Sequence, residues 1–148
     1  MKVFEIQSDQ LELSSDKSKL DIDFIHKNLT TSYWSEGIPK ETVEKAIKNS
    51  YALGLYLEGK QIGFCRIITD YSTFAYLADV FVSPKYQGNG YAVWMTEQLL
   101  QIPELQGLRR WILATRDAHS LYEKSGWVPL ENPQFFMEIA KRDIYLKN

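Results

Sequence analysis

The spacing of apolar and polar positions changes several times along this chain, and each change marks an element. Val3 to Gln7 predicts a first strand, whereas residues 8 to 20 are polar and read as loop. Ile22, Ile25 and Leu29 fall at i, i+3 and i+7 on one helix face, with Asp21 as N-cap. A loop from Thr30 to Ile38 carries Tyr33 and Trp34, and Pro39 fits the first turn of a second helix. That helix turns Val43, Ala46 and Ile47 inward and sets Glu41/Lys45 and Glu44/Lys48 as outward pairs. Leu53, Leu55 and Leu57 then alternate, Glu58-Gly59-Lys60-Gln61 predicts a type II′ hairpin turn, and Ile62 to Thr69 is the partner strand. Phe74 to Val82 is a third, largely apolar and hence central strand.

A breaker-rich loop from Ser83 to Gly90 leads into a helix with Ala92, Met95, Leu99 and Ile102 on one face, stopped by Pro103. Trp111 to Ala114 reads as a buried strand. Asp117 caps a short helix over Ala118 to Ser125 that Gly126 ends, and Phe135 to Ile139 reads as a final strand. The order predicts an α/β (α+β) fold, a mixed, mostly antiparallel central sheet with helices on its faces. No repeat, low-complexity tract or Pro/Gly/Ser-rich linker divides residues 1–148, so one domain is expected.

Composition narrows the function. Lys plus Arg number 17 against 19 Asp plus Glu, for a net charge of −2, which argues against a nucleic-acid or polybasic membrane binder. Cys65 is the single cysteine and the histidines number two, so no thiolate or paired-His metal site is expected. A lone thiol suits a reducing cytoplasm. The start of the chain lacks the apolar core of a signal peptide, and the longest charge-free stretch, Tyr86 to Thr96, is partly polar and too short to span a membrane.

The loop Gln87-Gly88-Asn89-Gly90-Tyr91-Ala92 joins a central strand to a helix. First-turn amides of a helix lack intrahelical partners and favour anions, and glycine removes the Cβ that blocks close approach. A glycine turn that only reverses the chain has the same composition. Val93 occupies the third glycine position of a dinucleotide fingerprint, and no Gly-Lys-Ser/Thr of a Walker loop occurs. The pattern that fits is Gln/Arg-x-x-Gly-x-Gly/Ala after Val80-Phe81-Val82-Ser83-Pro84. This segment resembles the acetyl-CoA-binding motif of the GNAT superfamily of N-acyltransferases. Leu121-Tyr122-Glu123-Lys124-Ser125-Gly126-Trp127 is similar to the LYEKxGF segment of the same family, in matching order and spacing.

The resemblance implies a GNAT-like sheet with helices on both faces and acetyl-CoA as co-substrate. It implies that Val80, Phe81 and Val82 face the pantetheine arm and that Gln87, Gly88, Asn89, Gly90, Tyr91 and Ala92 cradle the pyrophosphate. Tyr122 maps to the tyrosine that protonates the departing thiolate. An asparagine often found a few residues before it is absent, and Thr115 and Asp117 stand there instead. Relatives usually place acceptor contacts in the loop between the first two helices, which here holds Tyr33, Trp34 and Glu36.

An alkyl amine with a pKa of about 10.4 is only about 0.04% neutral at pH 7, so supplying the nucleophile costs about 4.6 kcal/mol and a general base helps. Asp79 interrupts the apolar run Leu77-Ala78-Asp79-Val80 and is the candidate base, with a structural ion pair to Arg66 or Arg116 as the other reading. Glu36, His119 and an ordered water are further candidates. The expected partners are a small-molecule or peptide amine in a monomer or homodimer. A non-catalytic acyl-CoA sensor and an interaction module are the competing functions.

Overall fold

A computed structural model describes residues 2–146. Six strands lie in one sheet in chain order: β1 (Glu5–Ser8), β2 (Leu11–Ser14), β3 (Tyr51–Leu57), β4 (Lys60–Thr69), β5 (Phe74–Val82) and β6 (Arg110–Leu113). Neighbours from β1 to β5 are antiparallel, and β5 pairs with β6 in parallel. Four α-helices complete the fold: α1 (Ile22–Thr30), α2 (Lys40–Lys48), α3 (Tyr91–Leu99) and α4 (His119–Glu123). The mixed, mostly antiparallel sheet is the one the sequence pattern predicts. No helix among the described residues is long and apolar enough to cross a membrane.

Alternation along the central strands builds two cores. Tyr51, Leu53 and Leu55 face one side with Cys65, Ile67, Met95, Leu99 and Tyr122. Ala52 and Phe64 face the other, against Ile25 and Leu29 of α1 and Val43 and Ile47 of α2. Helices therefore cover both faces, α1 and α2 on one and α3 and α4 on the other. The α1 start follows the sequence: Asp21 accepts a hydrogen bond from the Phe24 amide at 3.1 Å.

Five local expectations are corrected. Residues 8 to 20 are not all loop, because β2 occupies Leu11–Ser14. Leu11 and Leu13 are buried, but a strand of four residues leaves too brief an alternation among polar neighbours to register. The β3–β4 turn is type I′, since Glu58 and Gly59 both have positive φ, at 50° and 83°. The cap of α4 is not Asp117; the helix starts at His119, and the Thr115 hydroxyl accepts from the Ala118 amide at 3.1 Å. Phe135 to Ile139 forms no strand, and Met137 and Ile139 are almost wholly exposed. In consequence β6 is a half-buried edge strand rather than a buried one.

Candidate active site

The centre of the site is an irregularity in β5. Phe64 faces Phe81 and Arg66 faces Ala78, so Asp79 and Val80 together oppose the single residue Cys65. This is a β-bulge, and Asp79 takes the left-handed conformation at φ 56°, which aspartate tolerates better than most residues. A bulge bends and twists its strand. Past it, β5 and β6 part. Their parallel pairing covers only Phe74–Leu77 with Arg110–Leu113, and from Ala78 to Val82 the β6 side of β5 has no strand partner among the described residues.

Two cavities open along this wedge. The larger, about 740 Å³, runs beneath the start of α3 and is lined by Val80, Phe81, Val82, Gln87, Gly88 and Gly90 among others. The second, about 590 Å³, is lined by Arg66, Tyr76, Asp79, Thr115 and Arg116 among others. Tyr33, Trp34, Val80, Asp117, Ala118 and Tyr122 border both, so the two chambers meet there.

The first chamber has the character of an anion cradle. Gly88 and Gly90 have φ of 85° and 78°, and a Cβ at either would meet nothing within 4 Å. No side chain caps α3, and the Trp94 amide is the first to find a helical acceptor, Gly90 O. The amides from Gly88 to Val93 have no protein acceptor among the described residues, so they are free to bind phosphate oxygens. The side chains of Gln87 and Asn89 shape the turn instead. Gln87 donates to Val82 O at 2.8 Å and Asn89 to Tyr86 O at 3.0 Å. Tyr91 and Ala92 line the chamber, and Asn89 does not. The cleft thus suits a phosphate-bearing arm that enters at α3 and extends along β5.

The second chamber is held by an ion pair. Arg66 Nε donates to Asp79 Oδ2 at 2.9 Å, with both side chains largely buried. Trp34 Nε1 donates to Asp79 Oδ1, also at 2.9 Å. Tyr33 Oη accepts from the Arg116 amide at 3.1 Å, and the Arg116 guanidinium stacks over the Tyr33 ring at 3.8 Å. The loop before α2 is thereby tied to both sides of the wedge. Sequence reasoning named Arg66 and Arg116 only as ion-pair partners of Asp79 and missed Tyr76; their distance from the glycine loop in the chain gave no signal. Glu36 is exposed and borders neither chamber, and His119 lies instead on an apolar groove beyond α4.

Tyr122 stands where the chambers join. It is buried, its ring packs at 6.0 Å from Trp127, and desolvation pushes its phenol up to about 12. Nearby, burial and the Asp79 charge raise the Cys65 thiol well above the usual range, which leaves it an inert core residue.

A strand pair splayed by a bulge, a glycine-turned helix start and a buried tyrosine between two chambers define a two-chambered cleft in a mixed α/β fold. Comparison with known proteins sharpens this. The model of the Acetyltransferase (GNAT) family matches residues 21–127. A putative acetyltransferase of Gibberella zeae is 32% identical, with 76% of each chain covered. The crystal structure of a putative acetyltransferase of the GNAT family from Xanthomonas campestris pv. campestris superposes with a TM-score of 0.89 at 43% identity, covering 93% of this chain and 97% of that one. A predicted acetyltransferase from Clostridium acetobutylicum, solved with acetyl-CoA, shares the fold at a TM-score of 0.61 and 13% identity, over 94% and 95% of the two chains. The chain belongs to the GNAT acetyltransferase family.

Proposed function

We propose that this protein is an N-acetyltransferase that passes an acetyl group from acetyl-CoA to a primary amine by direct attack in a ternary complex. The observation that supports it most is the junction of the two chambers at Tyr122, with unpaired amides at the far end of one and a carboxylate in the other. The Clostridium acetobutylicum protein that shares the fold was solved with acetyl-CoA, which supports acetyl-CoA as the donor.

Bound acetyl-CoA would supply an activated acetyl thioester. The amides of Gly88 to Ala92 and the start of α3 would hold its phosphates without a cationic side chain. Val80 and Val82 would offer main-chain groups on the open side of β5, with Phe81 at their centre. Tyr33 and Trp34 would form the acceptor wall. Asp79 is the proposed proton acceptor for the incoming amine. Each of its oxygens already takes one hydrogen bond, which leaves lone pairs on both.

Tyr122 is the proposed donor to the leaving sulfur. A phenol near 12 stays protonated at neutral pH. Against an exposed thiol of about 8.5 it is too weak an acid by about 5 kcal/mol. Desolvation raises the proton affinity of a thiol, as it does for Cys65, so burial of the thioester sulfur against Tyr122 would narrow that gap. Tyr122 thus works first as a hydrogen-bond donor to developing negative charge and completes the proton transfer as the sulfur departs. The single buried thiol and an acyl-CoA donor both suit the cytoplasm.

A thiol-release assay of the purified chain against a panel of amines tests this reading. Acetyl-CoA should raise the melting temperature, and Tyr122→Phe should slow thiol release by 10- to 100-fold while that thermal shift persists. No thermal shift at millimolar acetyl-CoA would refute the donor. An unchanged rate would remove Tyr122.

A further inference from the structure

The second chamber holds four charged side chains, and only two of them are paired. Arg66 and Asp79 neutralise each other in the buried ion pair. Arg116 and Asp117 line the same chamber, and neither side chain makes an ion pair among the described residues. The Arg116 guanidinium is nonetheless held in position. It stacks 3.8 Å over the Tyr33 ring, and the Tyr33 hydroxyl accepts from the Arg116 amide at 3.1 Å. Trp34 packs edge-on against the same ring, with centroids 5.1 Å apart. Stacking occupies the flat face of a guanidinium and leaves its edge, where the N–H donors form a rigid fork, open to a ligand.

That fork matches a carboxylate, two N–H groups to two oxygens. Adjacent residues of one loop anchor the two ends of the chamber: Tyr33 holds Arg116, and Trp34 holds Asp79. A cation suited to a carboxylate and the proposed proton acceptor for an amine therefore stand on the two sides of a single aromatic corner.

We propose that the acceptor is a free amino acid, its amine directed to Asp79 and its carboxylate bound by Arg116. This rests on the acetyl transfer proposed above and names its substrate class. A purely cationic amine brings a like charge towards the unpaired Arg116, whereas a zwitterion brings a partner for it. Asp117, beside Arg116, favours the ammonium of the same molecule. The volume of about 590 Å³ lies in the range of small-molecule sites. A lysine side chain or the N-terminus of a protein carries no carboxylate beside its amine and would leave Arg116 unpaired. In the transfer the amine nitrogen bonds the acetyl carbon and the thioester C–S bond breaks. One amine proton passes to Asp79, and the sulfur takes its proton from Tyr122.

Thiol release from acetyl-CoA tests the proposal on the full chain. The acceptors are the standard amino acids with β-alanine and 4-aminobutyrate, each beside its carboxamide and its decarboxylated amine. Because these amines differ in pKa, kcat/KM is compared per neutral amine. At least one free amino acid should exceed both of its carboxylate-free forms by about 10- to 100-fold. Arg116→Gln should bring that ratio close to one, and Arg116→Lys should keep part of it, since the charge stays and the fork is lost. An acetyl-CoA thermal shift in both variants checks that they are folded. Carboxamides or decarboxylated amines used as well as the amino acids would overturn the proposal and leave amine acetylation standing. A carboxylate preference that survives Arg116→Gln would overturn the role of Arg116. Thiol release with no amine of either kind would refute amine acetylation, and this proposal with it.

Discussion

The indole N–H of Trp34 donates to the Asp79 carboxylate at 2.9 Å, joining residues 45 positions apart. One bond fixes the loop before α2 to the bulge in β5, at the wall of the second chamber that is proposed to take the acceptor. Trp34→Phe keeps most of the apolar contact and removes the donor. Hydrogen bonds to charged groups are worth about 1.5–3 kcal/mol, so kcat/KM for the acceptor should fall by about 10- to 100-fold. The apparent affinity for acetyl-CoA should hold, because the glycine-lined chamber, its proposed site, lies at the other end of the wedge. Steady-state kinetics with each substrate varied in turn checks this, and an equal loss for both substrates counts against it.

Arg66 offsets the same carboxylate from the opposite side. Its side chain is 16% exposed and that of Asp79 is 11% exposed, so the pair is desolvated enough for its loss to matter. Arg66→Leu leaves Asp79 without its charge partner and should cost about 3 kcal/mol in urea unfolding. Asp79→Leu combined with Arg66→Leu should be more stable than the single arginine variant, because no uncompensated charge remains. A double variant less stable than both singles would mean that the pair does not act as a unit. Asp79→Asn separates proton acceptance from positioning. Loss of a base shifts the acid limb of the pH–rate profile, whereas loss of a tether lowers the rate at every pH.

Gly90 caps α3 in the left-handed region with open space where a Cβ would stand. Gly90→Glu should therefore fold, at a cost of about 1–3 kcal/mol for the backbone strain. It also places a carboxylate where phosphate is expected, so the acetyl-CoA thermal shift should vanish. Gly90→Ala imposes a similar strain without the charge and should retain part of the shift. Identical losses in the two variants would trace the effect to the backbone rather than to repulsion of an anion.

Much of this was legible in the chain. Helix α1 announces itself through Asp21, Ile25 and Leu29, and the glycine loop through its residue types, because both are local patterns. The second chamber is not local. Arg66, Tyr76 and Arg116 reach it from three different elements, and only the fold brings them together. The state of Asp79 was half legible. An aspartate inside an apolar strand signals a special role, but its two hydrogen bonds and its positive φ arise from pairing with β4 and from the loop that carries Trp34. The expected strand at Phe135 to Ile139 failed for a related reason. Strand formation needs a partner edge, and residues 135 to 139 pair with no strand among the described residues.

Alkaline pH should unfold the protein through its buried tyrosines. Desolvation pushes Tyr56 and Tyr122 up to about 12 and Tyr51 upward from the ordinary 10. In the unfolded chain these phenols ionise near 10. A raised folded pKa gives stability that is complete below pH 10 and is lost as pH climbs from 10 through 12, where the unfolded state has released protons the folded state still holds. Each such group contributes a slope of up to about 1.4 kcal/mol per pH unit in that window. Tyr56 offers the clean test, since it lies outside both chambers and its hydroxyl is buried without a hydrogen-bond partner among the described residues. Tyr56→Phe should leave stability at pH 8 unchanged or slightly higher, because it removes an unsatisfied polar group. Between pH 10 and 12 it should flatten the decline by nearly one proton. Urea midpoints at pH 8, 10.5 and 11.5 for both chains measure the difference, and parallel declines would show that Tyr56 does not drive alkaline unfolding.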